Sequence, residues 1–268
     1  DYARDWPADE ARVELLRARL TGLGPVAEAT LRGLSGVECL AGIPGDVGAT
    51  PIQNVGAYGS EVKDAIETVK VFDITEQVFK TFSNEECRFS YRDSVFKHEG
   101  KNRYVVTEVV FRLKRAAGEA PRYPGVAEYF AEHGISAPTL ADIRTAITAI
   151  RAKKLPDPKE IASVGSFFKN PIVEKTLAEK LKAEYPTLAV FPVSDTHSKV
   201  GAGSLIDTMG WKGKSFGRIS TYKYNALVLV NEGGATRADL ESAVAEIISA
   251  VKEKYGITLE SEPELVSF

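Results

Sequence analysis

The chain has 268 residues, 44% of them hydrophobic and 26% charged, with 34 lysines and arginines against 37 aspartates and glutamates and a formal net charge of −3. This composition excludes collagen-like, coiled-coil and disordered classes, and it gives no electrostatic ground for a nucleic-acid or membrane partner. Cys39 and Cys87 are too few for a disulfide scaffold and no apolar run of about 18 residues occurs, so a cytoplasmic protein is expected; its partner is expected to be a small molecule, and a monomer is expected without any feature of the sequence deciding it.

At roughly 100 to 200 residues per domain, this length suggests one large domain or two small ones. Residues 8 to 33 read as helical, with Val13, Leu15, Leu16 and Leu20 as an apolar stripe, a break at Gly22-Leu23-Gly24-Pro25 and a second short helix ending near Gly33. The start at Asp1, without Met, is compatible with a fragment. From Gly42 to Gly59 seven of eighteen residues are Gly or Pro and almost none is charged, which predicts a buried, loop-rich segment. Two alternating β-branched runs between Glu67 and Phe82 flank Thr75-Glu76 as a hairpin, and Tyr104 to Leu113 reads as a strand. Thr139-Leu140-Ala141-Asp142 and Thr236-Arg237-Ala238-Asp239 fit a capping box with Asp in place of Glu, each followed by helical spacing. A helix near Glu174 to Tyr185 and a strand at Ala226 to Val230 lie between them. A sheet-rich first part followed by a mixed second part reads as α+β with two lobes.

Four segments carry residue types suited to chemistry. In Gly42-Ile43-Pro44-Gly45-Asp46-Val47-Gly48-Ala49-Thr50-Pro51, glycines allow positive φ and close approach of a ligand to the backbone. It is neither a Rossmann fingerprint nor a Walker A loop, and a tight structural loop is as good a reading until Gln53-Asn54-Val55-Gly56-Ala57-Tyr58-Gly59 adds amides and a phenol. Tyr91-Arg92-Asp93-Ser94 offers a guanidinium for a carboxylate or phosphate, against the alternative of a surface Arg–Asp pair. Lys153 to Lys159 leads to Gly165-Ser166-Phe167-Phe168-Lys169-Asn170-Pro171, where a hydroxyl beside two aromatics can donate a proton. The phenylalanines read as core, and the absence of a G-x-S-x-G elbow disfavours a hydrolase. In the tail, Glu260, Glu262 and Glu264 share one face if the backbone is extended, although such a triplet is usually solvated. His98, His133 and His197 have no metal-ligand spacing.

Taken in order, Gly-Ile-Pro-Gly-x-Val-Gly-Ala-x-Pro-Ile-Gln-Asn-x-Gly-Ala-Tyr-Gly (42 to 59), Cys-Arg-Phe-Ser-Tyr-Arg-Asp-Ser (87 to 94), Lys-Leu-Pro-Asp-Pro-Lys (154 to 159) and Gly-Ser-Phe-Phe-Lys-Asn-Pro (165 to 171) closely resemble the UDP-N-acetylenolpyruvoylglucosamine reductase family, from about Gly33 onward. Pro124 beside Tyr123 resembles the longer form of the family, with an extra substrate-covering loop.

The resemblance implies an FAD-dependent, NADPH-using reductase making UDP-N-acetylmuramate for peptidoglycan. It implies an FAD-binding domain of the vanillyl-alcohol-oxidase type over 33–155, truncated behind a helical segment 1–32, a smaller α/β substrate-binding domain over 156–258, and a terminal strand 259–268 returning to the active site. The family's N-terminal lobe carries a Gly-Ser-Asn loop for the FAD diphosphate that residues 1 to 32 do not match. On this basis Arg92 polarises the enolpyruvyl carboxylate, Ser166 donates a proton and Glu262 assists; matching Glu-Pro-Glu instead would select Glu264. Tyr91, Tyr123, Lys154 and Asn170 hold the UDP-sugar. Gly42, Ile43, Pro44, Gly45, Gly48, Gln53, Asn54, Gly56, Ala57, Tyr58 and Gly59 contact FAD. The alternative is a non-catalytic or flavin-free UDP-sugar-binding relative.

Overall fold

A computed structural model describes residues 10–115, with 16–23 excepted, 120–121 and 123–265; for 10–15 only the backbone is described. Two compact units divide the chain, Asp1–Arg151 and Ala152–Phe268.

The first unit is built on a four-stranded antiparallel sheet in the order β1-β6-β4-β5, from β1 (Glu10–Leu15), β4 (Ile66–Asp73), β5 (Val78–Ser83) and β6 (Tyr104–Lys114). The expected hairpin is present, with Thr68 opposite Ser83 and Asp73 opposite Val78. Ile66, Val69 and Val71 of β4 and Val109, Phe111 and Leu113 of β6 are buried on the core side. Each such side chain contributes about 1.5–3 kcal/mol by leaving water. Two short strands, β2 (Gly56–Ala57) and β3 (Ser60–Glu61), form a separate ribbon.

Residues 10 to 15 correct the helical reading of the N-terminal segment. They form β1, paired antiparallel to β6 with Glu10 opposite Lys114 and Leu15 opposite Val109. Ala11, Val13 and Leu15 alternate with Glu10, Arg12 and Glu14, so the segment satisfies period two as well as period 3.6, and pairing with β6 decides between them. The rest of that reading, at 8–9 and 16–23, lies outside the described residues. The expected second helix is α1 (Pro25–Leu31), closed by Gly33 at φ 68°.

Helices α2 (Pro124–Glu132) and α3 (Leu140–Lys154) bury Val126, Phe130, Ile143, Ala146, Ile147 and Ile150 in a cluster that also takes in Ala41 and packs against Val26 and Tyr58. Thr139 and Asp142 make the capping box: the Asp142 amide donates to Thr139 Oγ1 at 3.2 Å and the Thr139 amide to Asp142 Oδ2 at 2.9 Å.

In the second unit, β7 (Ser163–Ser166), β11 (Ile219–Tyr222) and β12 (Asn225–Asn231) form one sheet in the order β11-β12-β7. A second sheet, β8-β10-β9, consists of β8 (Ile172–Glu174), β9 (Val190–Pro192) and β10 (His197–Val200). Helices α4 (Lys175–Glu184), α5 (Ala202–Thr208) and α6 (Arg237–Tyr255) cover the core, to which α5 gives Leu205 and Ile206 and α6 gives Ile247 and Val251. The expected capping box at Thr236 and Asp239 opens α6, and Gly256 at φ 72° closes it. The α+β architecture read from the sequence is therefore present.

Candidate functional site

Most of the segment 42–59 is irregular backbone with turns through the left-handed region. Gly42, Gly45 and Gly59 have φ of 70°, 119° and 87°; Asn54 and Tyr58, at 47° and 53°, adopt that region without being glycine. Non-glycine residues there cost of order 1–3 kcal/mol and persist when their surroundings hold them. Asn54 is held by its side chain, which is fully buried: Nδ2 donates to Glu61 Oε2 at 3.0 Å and to the Ser90 carbonyl at 2.9 Å, while Oδ1 accepts from the Lys63 amide at 3.1 Å. Its amide is thus spent inside the protein, where it braces the loop from within. The expectation of a buried segment holds for Pro51 and Asn54, whereas Gly42, Pro44, Gly45, Asp46, Ala49 and Gly59 are exposed. A glycine-rich turn has too little side chain to cover itself.

The donor chemistry of this loop fits a large polar ligand with an apolar ring. The backbone N–H groups of Gly45, Asp46 and Val47 make no hydrogen bond to other described residues and present three successive donors. Beside them, Ile43, Pro44 and Val47 border a largely apolar recess of about 120 Å³ backed by Leu40, Val62 and Phe111. That volume takes the edge of a ring system, not a whole dinucleotide. FAD, with acceptor-rich phosphates and an apolar dimethylbenzene edge, fits this donor set; of the expected contacts, Ile43, Pro44 and Gly45 line the recess, whereas Gly42, Gly48, Gln53, Asn54, Gly56, Ala57, Tyr58 and Gly59 do not.

Arg92 stands at the end of the same arm. Its Nη2 donates to the Gly56 carbonyl at 2.8 Å, its guanidinium lies over the Tyr91 ring at 5.2 Å, and its own backbone has φ 56°. Ser94 ties the two segments together by donating to the Ile52 carbonyl at 2.6 Å. Asp93, the neighbour of Arg92, meets His98 Nε2 at 2.7 Å.

At the far end of α3, Arg151 donates from Nε to the Gly42 carbonyl at 3.2 Å, and its guanidinium lies close to the Tyr58 hydroxyl. Burial pushes the Tyr58 phenol above its ordinary pKa, and the nearby guanidinium pulls it part of the way back. Tyr123 packs edge-on against Tyr58, ring centres 5.0 Å apart. Arg151 was not singled out from the sequence: one arginine among the cations of 151–154 carries no local signal.

In the second unit, Ser166 ends β7 opposite Val228, exposed, after Gly165 at φ 76°. The two following phenylalanines are core, as expected, at 3% and 1% exposure. The tail returns to this segment: the Lys169 amide donates to the Glu260 carbonyl at 2.9 Å, Phe168 bridges Ser261, and the Glu262 amide donates to the Phe167 carbonyl at 2.8 Å. Glu262 is therefore bonded through its backbone to the residue after Ser166. The chain then bends at Glu262–Pro263, so the shared face expected for three glutamates does not run on to Glu264. Asn170 accepts the Ala202 amide on Oδ1 at 2.9 Å and so caps α5. Lys154 is exposed at the end of α3. Among the described residues no group of three or more His, Cys, Asp or Glu could hold a metal ion, and no helix is long and apolar enough to cross a membrane.

Residues 157–266 match the family model of the UDP-N-acetylenolpyruvoylglucosamine reductase C-terminal domain. UDP-N-acetylenolpyruvoylglucosamine reductase of Dechloromonas aromatica (strain RCB) is 46% identical over 235 residues, covering 87% of this chain and 70% of that protein. The chain belongs to the UDP-N-acetylenolpyruvoylglucosamine reductase family. The Pseudomonas aeruginosa member is 44% identical over 234 residues, again 87% of this chain, with 69% of the relative covered. The solved UDP-N-acetylenolpyruvylglucosamine reductase of Thermus caldophilus superposes with a TM-score of 0.58 at 29% identity, over 89% of this chain and 67% of that one. The chain thus spans about two thirds or a little more of the length of these family members.

Proposed function

We propose that the chain reduces the enolpyruvyl ether of UDP-N-acetylglucosamine to UDP-N-acetylmuramate, with FAD as its bound cofactor and NADPH as reductant. The observation that carries this reading is the return of the C-terminal tail to the Ser166 segment in a member of a reductase family. In this reading, residues 33–155 form an FAD-binding domain of the vanillyl-alcohol-oxidase type, 156–258 a substrate-binding domain, and 259–268 the strand that closes the site. Bound FAD, reduced by NADPH, would supply the hydride for the vinyl group. The rest of the chemistry belongs to side chains of the chain itself.

Arg92 stabilises negative charge that develops on the carboxylate side of the substrate. A guanidinium fixed by the Gly56 carbonyl and the Tyr91 ring needs little reorganisation to do so. Ser166 gives its hydroxyl proton to the resulting enolate, a base strong enough to take it when the two are in contact. Glu262 stands one backbone hydrogen bond from the residue that follows Ser166, and in this reading assists the enolate step. Tyr91, Tyr123, Lys154 and Asn170 hold the UDP-sugar, and a monomer suffices.

The absorption spectrum of the purified full chain tests the proposal. A yellow protein that releases FAD on denaturation and forms UDP-N-acetylmuramate, with matching oxidation of NADPH, when the enolpyruvyl nucleotide is added is the expected result. A colourless protein that cannot be reconstituted with FAD overturns it and favours the flavin-free UDP-sugar-binding alternative.

A further inference from the structure

Arg151 occupies an unusual position for a half-buried cation. Arginines that give up water are ordinarily paired with a carboxylate. Here the partners among the described residues are a carbonyl and a phenol, Gly42 O and Tyr58 Oη, near the two ends of the 42–59 loop. Both partners sit in the left-handed region, Gly42 at φ 70° and Tyr58 at φ 53°. For Tyr58 that conformation is strained and lasts only where its surroundings enforce it. Two contacts do so: the Arg151 guanidinium at the hydroxyl and the Tyr123 ring, edge-on at 5.0 Å.

The geometry points to Arg151 as a positioning residue that reaches from α3 to pin both ends of the 42–59 loop and thereby holds it in the form that receives its ligand. This rests on the proposed reading of the loop as the FAD cradle. The role requires a guanidinium, because its Nε serves the Gly42 carbonyl while the rest of the fork keeps its charge beside the Tyr58 hydroxyl, which a single ammonium does less well. It also transmits to Tyr123, since the Tyr58 ring that Arg151 fixes is the one against which Tyr123 packs.

The test uses the full chain as Arg151→Met, Arg151→Lys, Tyr58→Phe and the Arg151→Met/Tyr58→Phe double variant. Amide hydrogen exchange is followed without ligand, and FAD affinity by flavin fluorescence. Loss of the Gly42 hydrogen bond and of the charge beside Tyr58 is expected to speed exchange across 42–59 and weaken FAD each by about tenfold in Arg151→Met, while exchange in α5 and β12 stays at the wild-type rate. Arg151→Lys should recover only part of the loss, Tyr58→Phe should cause part of it, and the double variant should fall short of the sum of the singles. Unchanged exchange in 42–59 for Arg151→Met, or full recovery by Arg151→Lys, overturns the clamp. Should Arg151→Met fail to fold, Arg151→Lys and Tyr58→Phe read the same loop. If the wild-type chain takes up no FAD, the proposed function fails, and the exchange measurements still decide whether Arg151 pins the loop.

Discussion

The Arg92 guanidinium is anchored on the backbone of Gly56, donating to its carbonyl oxygen at 2.8 Å, and Gly56 has no room for a side chain. A Cβ built there stands 2.7 Å from the Ser60 carbonyl and 3.2 Å from Arg92 Nη1. The glycine therefore serves the arginine as much as the backbone turn. Gly56→Ala should displace Arg92 and lower kcat/KM for the enolpyruvyl nucleotide by about ten- to a hundredfold, as small misplacements of a catalytic group do. The rate of flavin reduction by NADPH alone should change far less. Steady-state and stopped-flow kinetics on the same variant check both halves, and an equal fall in the two would remove Arg92 from the substrate half-reaction.

Ser166→Ala should separate the half-reactions more sharply. A proton donor contributes typically 10²- to 10⁴-fold, so product formation should fall by at least about a hundredfold while NADPH still bleaches the flavin. Ser166 is exposed at the end of β7 and its neighbours Phe167 and Phe168 keep the core intact, so the protein should fold and melt like the wild type. Loss of flavin reduction together with product formation would sink the assignment.

The tail offers two glutamates, and its backbone bonding favours one. Glu262 is tied through its amide to the Phe167 carbonyl, whereas Glu264 follows the bend at Pro263 and is exposed. Glu262→Gln should reduce kcat with little change in KM; Glu264→Gln should leave both near wild type. The reverse pattern would transfer the role to Glu264.

What the sequence made legible was what local rules decide. Alternation in 66–83 and the Thr236/Asp239 box each specify their own element through neighbours a few residues away, and both elements stand where expected. The segment 10–15 misled because its apolar residues satisfy two periods, and the deciding partner, β6, lies about ninety residues on. Burial of Asn54, the Arg151 contact with Gly42 and the pairing of Ser261 with Phe168 are likewise long-range, with no short motif to announce them. The candidate chemistry of Arg92, Ser166 and Glu262 came from ordered motifs; how each side chain is held came only from the fold.

Asp73 contributes to the pH dependence of the first unit. It closes β4 with a fully buried side chain, accepting from Arg103 Nη2 at 2.8 Å and from Lys80 Nζ at 2.8 Å, while the Thr75 and Glu76 amides of the hairpin turn donate to Oδ1. The Arg103 hydrogen bonds, joined by Lys80, hold its carboxyl well below the usual range against the opposing effect of burial. A carboxyl that titrates lower in the folded state than in the unfolded chain, where it ionises near pH 3.9, binds its proton first on unfolding. Its stabilising contribution is therefore complete above about pH 4 and is lost as the pH falls further. Asp73→Asn should lower the melting temperature by several degrees at pH 7, and the gap to wild type should close steadily as the pH drops below about 4. Thermal unfolding between pH 2.5 and 7, with Arg103→Gln as the partner variant, measures this; a gap that does not vary with pH would mean that the turn hydrogen bonds, and not the charge, are what Asp73 contributes.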